Sequence, residues 1–381
     1  MNDKVQEQEQ FGWGFSSATD WHDAIDACME TTTLGQPHAN LGFVYVTSEH
    51  VPALEAIVDH LKVHSGIDHW VGTSGIGIVA RETECYDSPG MAMLTGAFPT
   101  EDFRVLSTMV DAASECSKDV QTWLANNFST VGIVHADPHN PHLQQLIPGL
   151  SDILGGGFLL GGLTSTSGEE HQQVADGVTN GGISGVLFSE KVSIASGLSQ
   201  GCSPLGPNRT ITECDRNLIV RIDDRPALTV FKEDIGEPFS SNLNRVGGHI
   251  FVGLSVTGSD TGDYVVRNLI GIDVEQEVLA IGEHVSPGEV IVFCKRDSET
   301  ARKDLIRMAK DVRRRVGNKT PKGGLYFSCL GRGRHTFGPN SGEMKILSEE
   351  LGDVPLVGFF ANGEISHNRL YGYTGVLSLF Y

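Results

Sequence analysis

Two stretches near the C-terminus gather guanidinium groups, glycines, a thiol and a carboxylate. In the first, Gly323 to Gly338 (GGLYFSCLGRGRHTFG), the apolar run Leu325-Tyr326-Phe327 has strand character and stops at Cys329. Gly331-Arg332-Gly333-Arg334 follows, a backbone too permissive to continue a strand and too cationic to be buried unpaired. In the second, Pro355 to His367 (PLVGFFANGEISH), a buried-strand run through Leu356, Val357, Phe359 and Phe360 ends in Asn362-Gly363-Glu364. Two strand ends of this kind would set cations and N–H donors against a carboxylate and two aromatic rings. In extended backbone Arg332 and Arg334 share a face. With the N–H groups of Gly331 and Gly333 they could grip a carboxylate or phosphate, while Glu364 receives an amino group and Phe359 or Phe360 covers the apolar part. That set, with Cys329 and Asn362 at the rims, suits an anionic or amino-acid-like ligand. It equally allows an internal Arg332–Glu364 ion pair that locks the strand ends.

Cys329 beside these arginines, with His335 or His367 as base, would be the arrangement of a thiol enzyme. No Asp or Asn is placed to orient the base, and a buried structural thiol is the competing reading. A metal reading rests on His135, Asp137, His139 and His142, three imidazoles and a carboxylate within eight positions. Against it, Asp137-Pro138 and Asn140-Pro141 are ordinary turn starters between a strand and a helix, which is the preferred reading. His60 and His64 lie four apart on a helix, a metal-competent spacing, but no third ligand is near them in sequence, so they read as a solvated face.

The elements that must position these groups follow from periodicity. Helices are expected over 20–29 (capped by Asp20), 51–64, 118–126, 143–154 and 298–316, the last with a core stripe of Ala301, Leu305, Met308, Val312 and Val316 and Ser298 as its cap. Strands are expected at 41–47, 70–80, 91–98, 131–135, 158–163, 185–189, 192–197, 218–222, 249–256, 264–270, 277–281 and 290–294. Val71–Gly75 followed by Met91–Gly96 echoes Val357–Ala361 followed by Leu370–Gly375, which suggests related lobes. The fold class read from this is α+β: two related lobes of mixed or antiparallel sheet with helices packed outside, as in αββα layers.

A chain of 381 residues exceeds what one core usually serves. The net charge of -20 argues against a nucleic-acid partner, which needs a basic face. No apolar run reaches spanning length, so no membrane partner is expected, and residues 1–10 lack the features of a signal peptide. Seven scattered cysteines, odd in number and never spaced CxxC, fit reduced thiols in a cytoplasmic protein.

The motifs FSCLGRG, GFFANGEI and YTGVLSLF resemble the C-terminal signature of FIST proteins, in which a FIST N domain precedes a FIST C domain. SQGCSPLGPNRTIT (199–212), DDRPALTVF (223–231) and VVRNLIGID (265–273) resemble the family's middle blocks, and WVGTSGIGI (70–78) and LLGGLTS (159–165) its N-domain glycine turns. The likeness runs from about Gly42 onward and departs at Ser366-His367-Asn368, where family members often carry Gly-Pro. The polar N-terminus reads as a disordered tail over 1–12, and the turn formers of CSPLGPNR set the boundary between a FIST N-like lobe over 13–205 and a FIST C-like lobe over 206–381. The resemblance itself implies a sensory module for a small-molecule ligand, acting here without further domains through a separate signalling protein. Part of the family binds haem and responds to nitric oxide. By that resemblance non-covalent haem b is an alternative ligand, with His249, His335 or His367, or else Cys329, as axial candidate.

Overall fold

The computed structural model describes residues 11–32, 38–113, 116–255 and 264–381. Residues 1–10 of the expected tail, and Val256 at the end of an expected strand, lie outside them. The tail does not extend to residue 12: Phe11 is buried in the central core, and Gly12 opens the first strand.

The chain forms two compact units that are not consecutive halves. The first comprises the chain up to Ser199 with Asp304–Leu370 and Thr374–Tyr381; the second comprises Gln200–Lys303 with Tyr371–Tyr373.

The first unit is one motif written three times. Its first copy is β1 (Gly12–Ser16), α1 (Trp21–Thr32), β2 (Leu41–Thr47), α2 (Leu54–Ser65), β3 (His69–Gly75), a hairpin β4 (Gly77–Ala80) and β5 (Thr83–Tyr86), and β6 (Met91–Gly96). The second is β7 (Phe103–Met109), α3 (Lys118–Asn126), β8 (Ser129–Ala136), α4 (Leu143–Ile153), β9 (Phe158–Leu163), a hairpin β10 (Gln173–Ala175) and β11 (Val178–Thr179), and β12 (Ile183–Ser189). The third begins with β13 (Ile194–Gln200) and is then interrupted by the second unit.

That second unit holds β14 (Cys202–Pro204), β15 (Arg209–Asp215), β16 (Leu218–Ile222), β17 (Arg225–Pro226), α5 (Ala227–Ile235), β18 (Ile250–Ser255), β19 (Tyr264–Asp273), β20 (Val278–Ile281) and β21 (Val290–Arg296). Antiparallel pairing runs β21-β15-β16-β20-β19-β18 and back to β21, closing a six-stranded barrel around a core with α5.

The third copy resumes with α6 (Ser298–Val316), β22 (Gly323–Cys329), the short α7 (Arg334–Phe337), α8 (Gly342–Leu351), β23 (Leu356–Ala361), a hairpin β24 (Glu364–His367) and β25 (Arg369–Tyr371), and β26 (Thr374–Phe380). The five stripe residues of α6 are all buried. Its cap is Asp297 rather than Ser298, because the Asp297 carboxylate reaches the Glu299 N–H and the Thr300 hydroxyl.

Each copy pairs its two central strands in parallel and lays its last strand antiparallel to the first of them. Each then gives its hairpin away. The sheet orders are β1-β6-β2-β3-β10-β11, β7-β12-β8-β9-β24-β25 and β13-β26-β22-β23-β4-β5, so every sheet is finished by a neighbour's hairpin in cyclic fashion. The echo between 71–96 and 357–375 is thus two members of a threefold set whose third spans β9 to β12. Register shows the equivalence: Gly72, Gly161 and Gly358 face Val44, Val134 and Tyr326. At each of these glycines a Cβ would stand 1.8 Å from the facing carbonyl oxygen, so no larger residue fits.

The inner faces of the three sheets meet in one core that includes Tyr45, Ile133, Phe188, Phe327, Phe359 and Phe380. α1 and α2, α3 and α4, and α6 and α8 cover the outer faces. The architecture is α+β, with mixed sheets in this unit and an antiparallel one in the other.

Candidate functional site

At the centre of the first unit, equivalent positions of the three repeats carry Tyr45, His135 and Phe327. The Tyr45 hydroxyl and His135 Nε2 are 3.2 Å apart, and Phe359 stacks on Tyr45 at 5.4 Å. Burial among these rings holds His135 well below the usual imidazole range, at about 3, so it is neutral. Among the described residues its Nδ1 has no hydrogen-bond partner. Asp137, one strand end away, caps its own turn by accepting from the His139 and Gly181 N–H groups. His139 is mostly exposed, and His142 lies toward Asp111. Of the four residues read as a possible metal cluster, His139 lies 3.6 Å from Asp137, whereas His135 faces Tyr45 and His142 faces Asp111, so the four are not gathered on one point. Among the described residues no group of three or more His, Cys, Asp or Glu is arranged to hold a metal.

β22 and β23 end side by side as expected, joined by the Leu330 N–H to Ala361 carbonyl bond at 3.0 Å. The turn that follows is not extended. Gly333 takes φ +49, and its Cα lies so close to Tyr86 and Phe360 that a Cβ would collide with both. This turns Arg332 inward and Arg334 outward, so the two do not share a face.

Arg332 is 1% exposed, and its partner is Glu343 of α8, not Glu364. Its Nε donates to Glu343 Oε1 at 2.8 Å, its Nη1 and Nη2 reach the carbonyl and hydroxyl oxygens of Ser199, and the guanidinium lies over the Phe337 ring. Glu343, also fully buried, further accepts from the Tyr326 hydroxyl (2.6 Å), the Ser328 hydroxyl and the Gly333 N–H (both 2.9 Å). Every lone pair of that carboxylate is engaged, which is what allows it to be buried charged.

Glu364 is fully buried too, but for the opposite reason. Its Oε2 accepts from the Thr374 N–H and hydroxyl, whereas Oε1 is buried without a geometric hydrogen-bond partner among the described residues. Burial pushes its carboxyl up to about 8, against the opposing pull of Thr374, Arg332 and the nearby Cys329 thiol. At neutral pH it is mostly the uncharged acid. Cys329 thus lies against a carboxyl rather than a basic imidazole.

Phe359 and Phe360 are core residues on opposite faces of β23: Phe359 packs on Tyr45, Phe360 on Tyr86 at 4.6 Å. Asn362 is exposed, and Gly331 half-buried at the turn.

Above this layer lies a pocket of about 520 Å³ lined by Glu84, Tyr86, Arg334, His335, Pro339, Asn340 and Ser341. Its walls come from different repeats, the donated hairpin β4–β5 and the segment after β22. Arg334 lies over the Tyr86 ring at 4.7 Å and pairs with exposed Asp87. The Glu84 carboxylate accepts from the Glu343 and Met344 N–H groups at the start of α8 and from the Tyr86 hydroxyl. Burial, and then the charge of Glu343, raise its pKa. Asn340 and Ser341 both have positive φ, strain of the kind that recurs at ligand clamps. Of the sequence candidates, Arg334 and His335 line this pocket and Arg332 and Gly333 support it from below. Glu84 and Tyr86 were not foreseen.

The three histidines offered as haem ligands do not fit the group. His335 is solvent-exposed at the pocket rim, and His367 is exposed with its ring edge on Phe158. His249, at the start of β18 in the other unit, is exposed and bonded to the Gly247 carbonyl. An axial ligand needs an apolar enclosure for the macrocycle, and none of the three has one.

The first unit is a threefold repeat with an open, polar-lined pocket between a donated hairpin and the third copy. The chain belongs to the FIST family: the FIST N domain matches residues 40–225 and the FIST C domain residues 227–367. An uncharacterised protein of Mycobacterium tuberculosis is 31% identical over 325 residues, covering 81% of this chain and 83% of that protein. An uncharacterised protein of Mycobacterium bovis is 35% identical over 192 residues, covering 48% of this chain and 49% of its own. FIST domains are small-ligand-binding modules of signal transduction rather than catalytic domains. Among the described residues no helix is long and apolar enough to cross a membrane.

Proposed function

We propose that this chain is a sensory protein that binds a small anionic or amino-acid-like ligand in the 520 Å³ pocket and acts through a separate partner protein. The observation that carries the reading is Arg334. It is a half-exposed guanidinium that lies over the Tyr86 ring at the rim of a concave site and pairs with the exposed carboxylate of Asp87. A ligand carboxylate can take the place of Asp87 on that fork, since an exposed pair of this kind is worth about 0–1 kcal/mol. His335, Asn340 and Ser341 supply further polar contacts, and Glu84 with the Tyr86 hydroxyl faces a ligand's amino end. The pocket wall continues into α8 and the Arg332–Glu343 layer, so an occupant bears on the elements that join two repeats. Seven cysteines, none of them in a disulfide, suit the reducing cytoplasm in which such a sensor would work.

The test is a thermal-shift screen of amino acids and small mono- and dicarboxylates. A ligand at 100 times its Kd stabilises by about 2.7 kcal/mol. Arg334→Ala should abolish the shift and leave the unliganded melting point nearly unchanged. A shift of equal size in wild type and Arg334→Ala would refute the site.

A further inference from the structure

The second unit carries an arginine held between aromatic rings rather than by a carboxylate. Along β18 and β21, Val252 and Phe293 point into the barrel core, so Phe251 and Cys294 lie on the outer face. Arg296, two residues beyond Cys294, lies on that face too. There Phe251 and Cys294 cluster with Cys202, Val266, Tyr264 and Tyr373, the last from the Tyr371–Tyr373 segment of this unit. The Arg296 guanidinium is 4.9 Å from the Tyr373 ring centroid and 5.9 Å from that of Phe251, and the two rings are 4.4 Å apart.

Rings attract a cation through their faces but leave its in-plane N–H donors unmet. Among the described residues Arg296 makes no ion pair and no side-chain hydrogen bond, and its Nε is buried without an acceptor. Carboxylates are not scarce, since 48 acidic residues face 28 Lys and Arg. Arg332 has Glu343, Arg334 has Asp87, Arg267 has Glu283 and Arg209 has Asp234. A buried donor on a charged group is costly to leave unmet, so an acceptor from outside the chain is expected there. The backbone adds a second sign. Tyr373 takes φ +62, a conformation that costs an aromatic residue free energy and recurs at ligand clamps. Its hydroxyl donates to Asn268 Oδ1 at 2.9 Å, and Asn268 lies across the ladder from Phe251, so the ring beside the guanidinium is fixed.

We propose that Arg296 anchors a carboxylate-binding site on the outer face of the barrel, with Phe251 and Tyr373 fixing its plane and Asn268 positioning Tyr373. A guanidinium held flat presents its fork, which a planar carboxylate meets with two parallel hydrogen bonds. The half-buried rings of Tyr264 and Tyr373 give the ligand's carbon skeleton an apolar floor. A chain of net charge -20 repels a doubly charged phosphate more than a singly charged carboxylate. The carboxylate belongs either to a free small acid or to an acidic side chain of a partner protein. This site is separate from the Arg334 pocket and does not depend on it.

The experiment uses the full chain with arginine-selective ¹⁵N labelling, which makes the Nε–H groups visible by NMR, and Arg296→Lys identifies the Arg296 signal. Sodium acetate, sodium phosphate and the blocked peptide acetyl-Glu-Glu-amide are titrated at constant ionic strength, with chloride as the control. Acetate should move the Arg296 signal saturably, chloride should not, and phosphate should bind more weakly than acetate. Tyr373→Ala should weaken acetate binding about tenfold by releasing the guanidinium, and Tyr373→Phe, which keeps the ring, should restore it. Unchanged melting points confirm that the variants are folded. A peptide that binds more tightly than acetate assigns the carboxylate to a protein partner, and equal affinity assigns it to a free acid. A wild-type signal that acetate does not move, tighter binding of phosphate, or acetate affinity indifferent to Tyr373→Ala would overturn the site.

Discussion

Replacing Arg332 by alanine should strongly destabilise the first unit rather than merely empty a binding site. The substitution leaves the Glu343 carboxylate wholly buried, with its remaining donors neutral: two hydroxyls and one N–H. Removing one member of a buried ion pair costs roughly 3–5 kcal/mol, because the other charge stays uncompensated. Whole domains are stable by only about 5–15 kcal/mol, so the loss is a large share. The assay is urea unfolding followed by tryptophan fluorescence, since all four tryptophans, Trp13, Trp21, Trp70 and Trp123, lie in this unit. The double variant Arg332→Met with Glu343→Gln removes both charges while keeping an acceptor for Gly333 and Ser328. It should recover about 2 kcal/mol or more relative to the sum of the single variants, the coupling expected of groups in one network. If Arg332→Ala lies within about 1 kcal/mol of wild type, or the double variant shows no coupling, the Arg332–Glu343 layer does not hold the strand ends, and the account fails.

Glu364 makes the stability pH-dependent in a stated direction. Its folded pKa, about 8, is raised above the usual carboxyl value of 4.5, so its contribution is complete below pH 4.5 and is lost as pH rises through 8. Relative to Glu364→Gln, wild type should lose up to roughly 1.4 kcal/mol per pH unit across that window, and parallel urea midpoints at pH 5, 6.5 and 8 would refute it. Gly72→Ala, Gly161→Ala and Gly358→Ala should each destabilise by about 1–3 kcal/mol or more, as overpacking does, and a single tolerant site among the three would break the equivalence of the repeats. Tyr45→Phe leaves His135 without its hydroxyl partner and should cost about 1 kcal/mol, measured by the same unfolding assay.

Much of the fold was legible because strand and helix periods are local. The core stripe of α6 and the paired strand ends of β22 and β23 needed only spacing and turn residues. The site was less legible because its partners are distant. Nothing near Arg332 announces Glu343, which reads as an ordinary acidic residue in the first turn of a helix. Glu84 and Tyr86 belong to a hairpin that crosses to another repeat's sheet, an exchange no local pattern encodes. The assumption that Arg332 and Arg334 share a face failed at one residue, Gly333, whose positive φ breaks the alternation. The third repeat had a faint signal in the pairs Val71-Gly72, Leu160-Gly161 and Val357-Gly358, too short to separate from chance before their common register is seen.

The cyclic gift of hairpins has a consequence for how such a chain can be divided. No repeat completes its own sheet, so a segment carrying one copy would end in an unpaired strand edge and an uncovered apolar face. Such a segment could satisfy itself only by closing a ring with two others like it, a homotrimer joined by strand swapping. The present chain is that ring drawn as a single covalent thread. Its three positions are free to diverge while the exchange holds them together, and the Arg334 pocket is a place where one position has become unlike the others.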